Sequence, residues 1–244
     1  MLISEKALQH INHSKIDSAP SPSYFTLPEK VLQFGTGVLL RGLTGYFIDI
    51  ANKKGFFNGR IVVVKSTATG DIETFKKQDC LYTLCIKGIE NGKKTEQLFL
   101  NASISRVLSA HDEWNAILAC AENGHLKVII SNTTEVGLSL DEHDSVLSTP
   151  PSSFPGKLLA FLHKRFTAFN GSHESGMVII PTELIPDNGK KLKQILNTLA
   201  KLNKLDDAFI TWLNEAIFFC SSLVDRIVPG KLKPDEKAIL ENDL

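Results

Sequence analysis

The chain has 244 residues, 43% of them apolar and 22% charged, and its 27 basic and 27 acidic side chains cancel to zero net charge. That length accommodates one large domain, or one and a half, with a sizeable core. Zero net charge excludes the broad electrostatic attraction on which non-specific nucleic-acid binding or a polybasic membrane anchor rests.

The first twenty residues contain no apolar stretch behind a basic cluster, and no later run approaches the roughly 18 apolar residues of a membrane span. A cytoplasmic protein is expected. The four cysteines, Cys80, Cys85, Cys120 and Cys220, lack CxxC spacing and are expected as reduced thiols. The seven histidines form no HxxxH or HxH pair, so no metal site is expected.

Residues 1–30, with Ser and Pro at 18–23 and Pro28, look like an arm leading into the fold. Val31 to Phe34 is a short apolar run ended by Gly35, as suits a buried strand. From Val38 the pattern turns helical: Leu39, Leu43, Phe47 and Ile50 form one stripe, ended by Gly55 and Gly59. Ile61 to Val64, β-branched throughout, is the next strand of a sheet covered on both faces. Strand, helix and strand make a βαβ unit with a right-handed crossover.

Asp71 to Gln78 predicts a short helix. Leu81–Gly88 and Thr95–Asn101 flank Asn91-Gly92, a dipeptide suited to a tight hairpin, and predict an antiparallel insertion. Ser109–Glu122 reads as a helix with acids at its start, and Leu126–Ile130 as a strand. Past the prolines at 150, 151 and 155, a helix is expected at Gly156–Phe169 and a strand at Met177–Ile180. Lys190–Leu202 and Asp206–Phe218 are amphipathic helices. Phe219–Val224 makes a last short strand, and Lys231–Leu244 is a polar tail. No internal repeat is visible.

Gly35-Thr36-Gly37 lies between the first strand and its helix. There one glycine permits a tight turn and the next lets backbone approach a diphosphate, which the helix N-terminus can hold without a lysine. The third glycine of the dinucleotide fingerprint is replaced by Leu40, so the same residues also read as a plain structural turn. No acid follows the second strand directly to bind a ribose 2′-hydroxyl; Lys65 could meet a 2′-phosphate or be an ordinary solvated lysine. An S-adenosylmethionine-dependent methyltransferase competes at this point, as does a non-catalytic nucleotide-binding module.

Four segments together resemble the mannitol dehydrogenase family of polyol and sugar-acid dehydrogenases: LQFGTGVLLRG (32–42), SNTTEVG (131–137), PTELIPDNG (181–189) and CSSLVDRIVPG (220–230). The second and third are most similar to the family's tagaturonate-reducing branch, and mannitol or fructuronate oxidation stands as the alternative within it. The resemblance implies an α/β, Rossmann-like, doubly wound and mostly parallel sheet with an antiparallel hairpin insertion, occupying residues 31–230. It implies NAD as cofactor, with NADP open, and a sugar acid interconverted between altronate and tagaturonate.

Carried onto this chain, the resemblance puts Phe34, Gly35, Thr36, Gly37, Val38, Leu39 and Arg41 around the diphosphate and Asn132, Thr133 and Glu135 near the nicotinamide ribose. Asn132 to Thr134 can equally be a helix-capping loop. Asn188 resembles an asparagine that donates to the reacting carbonyl oxygen, a role worth about 3–4 kcal/mol for a typical oxyanion donor; otherwise Asp187-Asn188-Gly189 is a turn. Asp225 would bind substrate hydroxyls, or pair with Arg226. The family's proton donor is a lysine on a following helical domain, with asparagine and histidine nearby. No such pattern occurs in 231–244, so that stretch is expected to begin a linker to a helical partner domain outside the chain.

Overall fold

In a computed structural model of the chain, residues 3–10, 16–67, 72–133 and 137–229 are described. In chain order the strands are β1 (Glu29–Phe34), β2 (Arg60–Lys65), β3 (Tyr82–Glu90), β4 (Lys93–Asn101), β5 (Ile104–Ser109), β6 (Val128–Ser131), β7 (Val178–Pro181) and β8 (Phe218–Phe219). Six of them form one sheet in the order β5-β2-β1-β6-β7-β8, and every neighbouring pair runs parallel. With the separate β3–β4 hairpin set aside, this is the strand order of the doubly wound nucleotide-binding sheet.

Alternate residues of each strand serve opposite faces of the sheet. Leu32, Phe34, Val62, Val64 and Ile129 enter one core, packed by helices α4 (Trp114–Ala119), α5 (Phe154–Ala168), α6 (Asn188–Leu202) and α7 (Asp207–Glu215). Val31, Ile61, Val63, Val107 and Ile130 enter the other, under α1 (Val38–Leu40), α2 (Tyr46–Lys53) and α3 (Glu73–Lys77). Helices on both faces explain why the strands are apolar throughout rather than alternating.

The hairpin forms as its turn dictates: Asn91 and Gly92 have φ of 52° and 76°, and Glu90 pairs directly with Lys93. Both φ values are positive, as a two-residue primed turn requires. The N-terminal segment is not a detached arm. Ile3, Leu8, Ile16 and Phe25 pack on Leu81, Leu100 and Ala102 at the hairpin base, and the Phe25 carbonyl accepts from Arg60.

Three expectations need correction. The strand β5 at Ile104–Ser109 was not expected, and of the helix expected at Ser109–Glu122, α4 starts only at Trp114. The predicted strand at Phe219–Val224 is confined to Phe218–Phe219. The helix from Val38 is broken by a π-helical turn at Arg41–Gly45, and its apolar stripe is not the inward one. Leu40, Gly42, Gly45 and Asp49 are buried, whereas Phe47 is 56% exposed. The inward face uses glycines because its neighbours come close: a Cβ on Gly45 would strike the Tyr82 hydroxyl, and one on Gly42 would lie 2.9 Å from Val228.

At the amino ends of the strands, the buried Arg165 guanidinium donates to the carbonyls of Ser175, Ala121, Asn123 and Leu126. Burial lowers its pKa to about 10. The opposite ends of the strands carry the site.

Candidate functional site: the carboxyl ends of β1, β2, β6 and β7

β1 ends at Phe34 and the chain turns at once through Gly35-Thr36-Gly37 into α1. Gly35 has φ +118°, and a Cβ there would lie 2.8 Å from the Asn132 carbonyl oxygen. Only glycine lets the turn run this close to the end of β6. Gly37 differs: its φ is −64°, it caps α1, and a Cβ would meet nothing within 4 Å. The fold requires the first glycine, and the second borders open space.

Beside the first part of the bend is a pocket of about 510 Å³ whose lining includes Gly35, Thr36, Ser66, Asn132, Thr133 and Lys157. It opens beside β1 and β6, the neighbours at which strand order reverses and where open α/β sheets hold their ligands. The first-turn amides of a helix have no intrahelical acceptor and carry partial positive charge. Lys157, 3% exposed, sits in the first turn of α5, and its Nζ donates to the Ser152 carbonyl at 2.6 Å. Burial pushes its pKa down, opposed by Asp144. The Asp144 carboxylate is turned onto the Ser152 and Ser153 amides, at 2.6 and 3.1 Å.

The loop after β6 is tied to the end of β7. Thr133 donates to Glu183 Oε1 from its amide at 2.9 Å and its hydroxyl at 3.0 Å, and Ser131 donates to Oε2 at 3.2 Å. Asn132 Nδ2 donates to the Thr182 carbonyl at 2.9 Å and hydroxyl oxygen at 3.1 Å. Glu183 is 2% exposed. It therefore acts as a brace beneath the loop.

Asn188, the first residue of α6, is fully buried. Its Nδ2 donates to the carbonyls of Pro181, Glu183 and Ser222, each at 3.0 Å, while Oδ1 accepts from the Gly189 and Ser222 amides. An amide nitrogen has two protons, and both are committed to backbone. The side chain clamps the end of β7 to the segment after β8. Ser222 in turn lines a second pocket of about 510 Å³ with Leu184, Ile185, Pro186 and Leu223.

The remaining expected residues divide. Gly35, Thr36, Asn132 and Thr133 line the first pocket together. Phe34 supports it from below, its ring 5.1 Å from that of Phe154, and Val38 and Leu39 open α1 beside it. Arg41 lies in the π-helical turn with its guanidinium 5.1 Å from the Phe75 ring, where burial lowers its pKa. Lys65 is 6% exposed, at the end of β2. Asp225 is exposed, and Arg226 lies 5.0 Å from the Tyr46 ring. Glu135, and the expected tail at 231–244, lie outside the described residues. Sequence reasoning assigned no role to Lys157, Ser66 or Glu183; the only signal was that Glu183 falls within the PTELIPDNG segment.

Among the described residues no helix is long and apolar enough to cross a membrane. The chain is 44% identical to an altronate oxidoreductase of Bacillus subtilis over 85% of its own length and 43% of that protein's. It is 39% identical to one of Escherichia coli O7:K1, over 89% of this chain and 45% of the relative. It thus spans somewhat under half the length of these curated relatives. Among solved structures it superposes on mannitol 2-dehydrogenase of Pseudomonas fluorescens, a ternary complex with NAD and D-mannitol. The TM-score is 0.83 at 19% identity, over all of this chain and 50% of that one. A substrate-free D-sorbitol dehydrogenase matches with a TM-score of 0.79 at 20% identity, over 99% of this chain and 51% of that one. The family model for the mannitol dehydrogenase Rossmann domain matches residues 29–241, which sets aside the methyltransferase reading. By sequence, the chain belongs to the mannitol dehydrogenase family and carries its Rossmann domain.

Proposed function

We propose that this chain is the dinucleotide-binding part of an NAD-dependent oxidoreductase that interconverts altronate and tagaturonate. The carrying observation is the Gly35–Thr36 bend, which lines one pocket together with the braced Asn132–Thr133 loop, in a chain that shares 39% to 44% identity with altronate oxidoreductases. The residues present fit the cofactor. A Cβ at Gly37 would enter free space, and the Ser66 hydroxyl oxygen is buried in the pocket wall with no hydrogen-bond partner among the described residues.

When bound, a nicotinamide dinucleotide supplies the hydride. Gly35 keeps β-carbon bulk away from β6, and the Gly37 and Val38 amides, at the positive end of α1, hold the diphosphate. Asn132 and Thr133, fixed by Thr182 and Glu183, border the ribose on the nicotinamide side. Asn188 is a positioning residue that keeps β7 and the segment after β8 in register, and the exposed Asp225 on that segment serves the substrate's hydroxyls. Ketone reduction also needs a proton donor of matched pKa. We assign it to a helical partner domain within the length of the relatives that this chain does not cover. Handling a soluble sugar acid, the enzyme is assigned to the cytoplasm.

The test is NADH titration of the chain and of Gly37→Asp. Aspartate is a favoured N-cap, and there is space for it, so the variant should fold normally while its carboxylate repels the diphosphate. NADH affinity is expected to fall at least roughly thirtyfold, about 2 kcal/mol, with melting unchanged. Equal affinity in both proteins would move the nucleotide elsewhere. The chain alone should turn over altronate or tagaturonate little or not at all, and ordinary dehydrogenase rates would place the proton donor within it.

A further inference from the structure

From Val31 to its end at Phe34, β1 is apolar except at Gln33, which is 1% exposed and has Val63 and Ile130 as its partners on the two flanking strands. A buried side-chain amide among such neighbours is costly unless its hydrogen bonds are made. Methionine would fill the same space without that cost. Gln33 Nε2 donates to the Gly35 carbonyl, two residues on, at 2.9 Å. Its Oε1 lies 3.4 Å from the Thr44 hydroxyl, which donates to the Leu40 carbonyl at 2.9 Å. Thr44 belongs to the π-helical turn at Arg41–Gly45, so that irregular turn and the glutamine together back the bend from the core side.

The bond from Gln33 fixes a peptide plane. In a trans peptide the carbonyl and the following N–H point to opposite sides. With the Gly35 carbonyl held toward Gln33, the Thr36 N–H points away from the core, on the side where Gly35 and Thr36 line the pocket. The Thr36 amide has no hydrogen-bond partner among the described residues. A glycine at 35 lets this plane rotate at little steric cost. Rotated by half a turn, it would show an anion a carbonyl oxygen in place of a donor.

We infer that Gln33 is a positioning residue for the cofactor: by holding the Gly35 carbonyl it aims the Thr36 amide at the diphosphate, and Thr44 steadies the glutamine from the π-helical turn. The inference rests on the dinucleotide reading above and deepens it, since Gln33 itself does not line the pocket and acts through the backbone of the bend. Without the glutamine the plane samples both orientations. Only the donor-outward fraction then binds, and the apparent affinity falls by that fraction.

The experiment is NADH titration of the 244-residue chain, of Gln33→Met and of Thr44→Val, with melting recorded for each and the Thr36 amide followed by NMR. Gln33→Met should melt close to wild type and bind NADH about tenfold more weakly, as when one molecule in ten holds the competent bend. Thr44→Val should weaken binding by about two- to threefold, as loss of a long hydrogen bond does. In wild type, NADH should shift the Thr36 amide resonance. In unliganded Gln33→Met that resonance should move or broaden, and saturating NADH should return it to the wild-type bound position. A glutamine with a purely structural role would instead lower melting and leave the affinity of the folded protein unchanged. Unchanged affinity in Gln33→Met, or a wild-type Thr36 resonance indifferent to saturating NADH, overturns the inference while leaving the dinucleotide reading intact. Failure of wild type to bind NADH overturns that reading and this inference with it. Should Gln33→Met fail to fold, the wild-type Thr36 resonance and the affinity of Thr44→Val decide by the same criteria.

Discussion

Two ends of the same sheet edge are built in opposite ways. Where β6 and β7 finish, Asn188 and Glu183 are buried and saturated, each tied to backbone or hydroxyl groups of neighbouring segments. Where β1 and β2 finish, a glycine faces empty space and a buried hydroxyl lacks a partner. Adjacent strands in a sheet are about 4.8 Å apart, so the two constructions are close neighbours. A saturated network holds geometry and has nothing left to offer a ligand, whereas an unsatisfied wall has free energy to gain from one. Charge-bearing or amide residues in a family motif therefore need not be the ones that touch the substrate, and the least conspicuous residue types can be.

Breaking the saturated side should cost most. Asn188→Leu removes an amide bonded to Pro181, Glu183, Gly189 and Ser222 and strands buried carbonyls. We expect about 3 kcal/mol or more in urea denaturation, since unpaired buried groups cost about 1–3 kcal/mol each. Gly35→Ala attacks the boundary between the two sides: a φ of +118° and a Cβ 2.8 Å from the Asn132 carbonyl should cost about 2–3 kcal/mol in strain and abolish NADH binding. Glu183→Gln keeps the shape but loses the charge that strengthens the Thr133 and Ser131 bonds. It should cost roughly 1–2 kcal/mol and weaken NADH only through a loosened loop. A Glu183→Gln protein with full stability and lost binding would reverse the comparison, making the glutamate a ligand and not a brace.

Much of this was legible in the residues. The β1–helix–β2 unit followed from a glycine-bounded apolar run and a β-branched one, and the hairpin from Asn91-Gly92, because those signals are local. β5 was missed because its sequence, Ile-Ser-Arg-Val-Leu-Ser, carries an arginine and two serines. These are tolerated at the sheet edge, where Arg106 pairs with Glu29 at 2.8 Å. The inward face of the helical stretch from Val38 was misread because a π-helical turn shifts its register and because, within that turn, close packing on Tyr82 and Val228 selects glycine where periodicity looks for leucine. In the site, the bend was legible and the far wall of the pocket was not. A serine that matters because it lacks a partner has no sequence signature, and Lys157 reaches the pocket from a helix ninety-one residues further along the chain than Ser66.

The smallest expected effect sharpens the unsatisfied side. Burial lowers the Lys157 pKa from its ordinary value of 10.5, with Asp144 opposing. In the free protein the charged form is disfavoured relative to the unfolded chain. Between the depressed pKa and 10.5 the unfolded state therefore binds more protons, and this group's contribution to stability rises with pH. Cofactor binding runs the other way. An anionic ligand favours the ammonium, so binding takes up a proton and should weaken as pH climbs through the depressed pKa, starting below 10.5. Titrating NADH across the alkaline range should show a few-fold loss, and Lys157→Met should flatten the profile, as expected for loss of one partly screened charge. The same alkaline loss in Lys157→Met as in wild type would remove Lys157 from the surroundings of the bound dinucleotide.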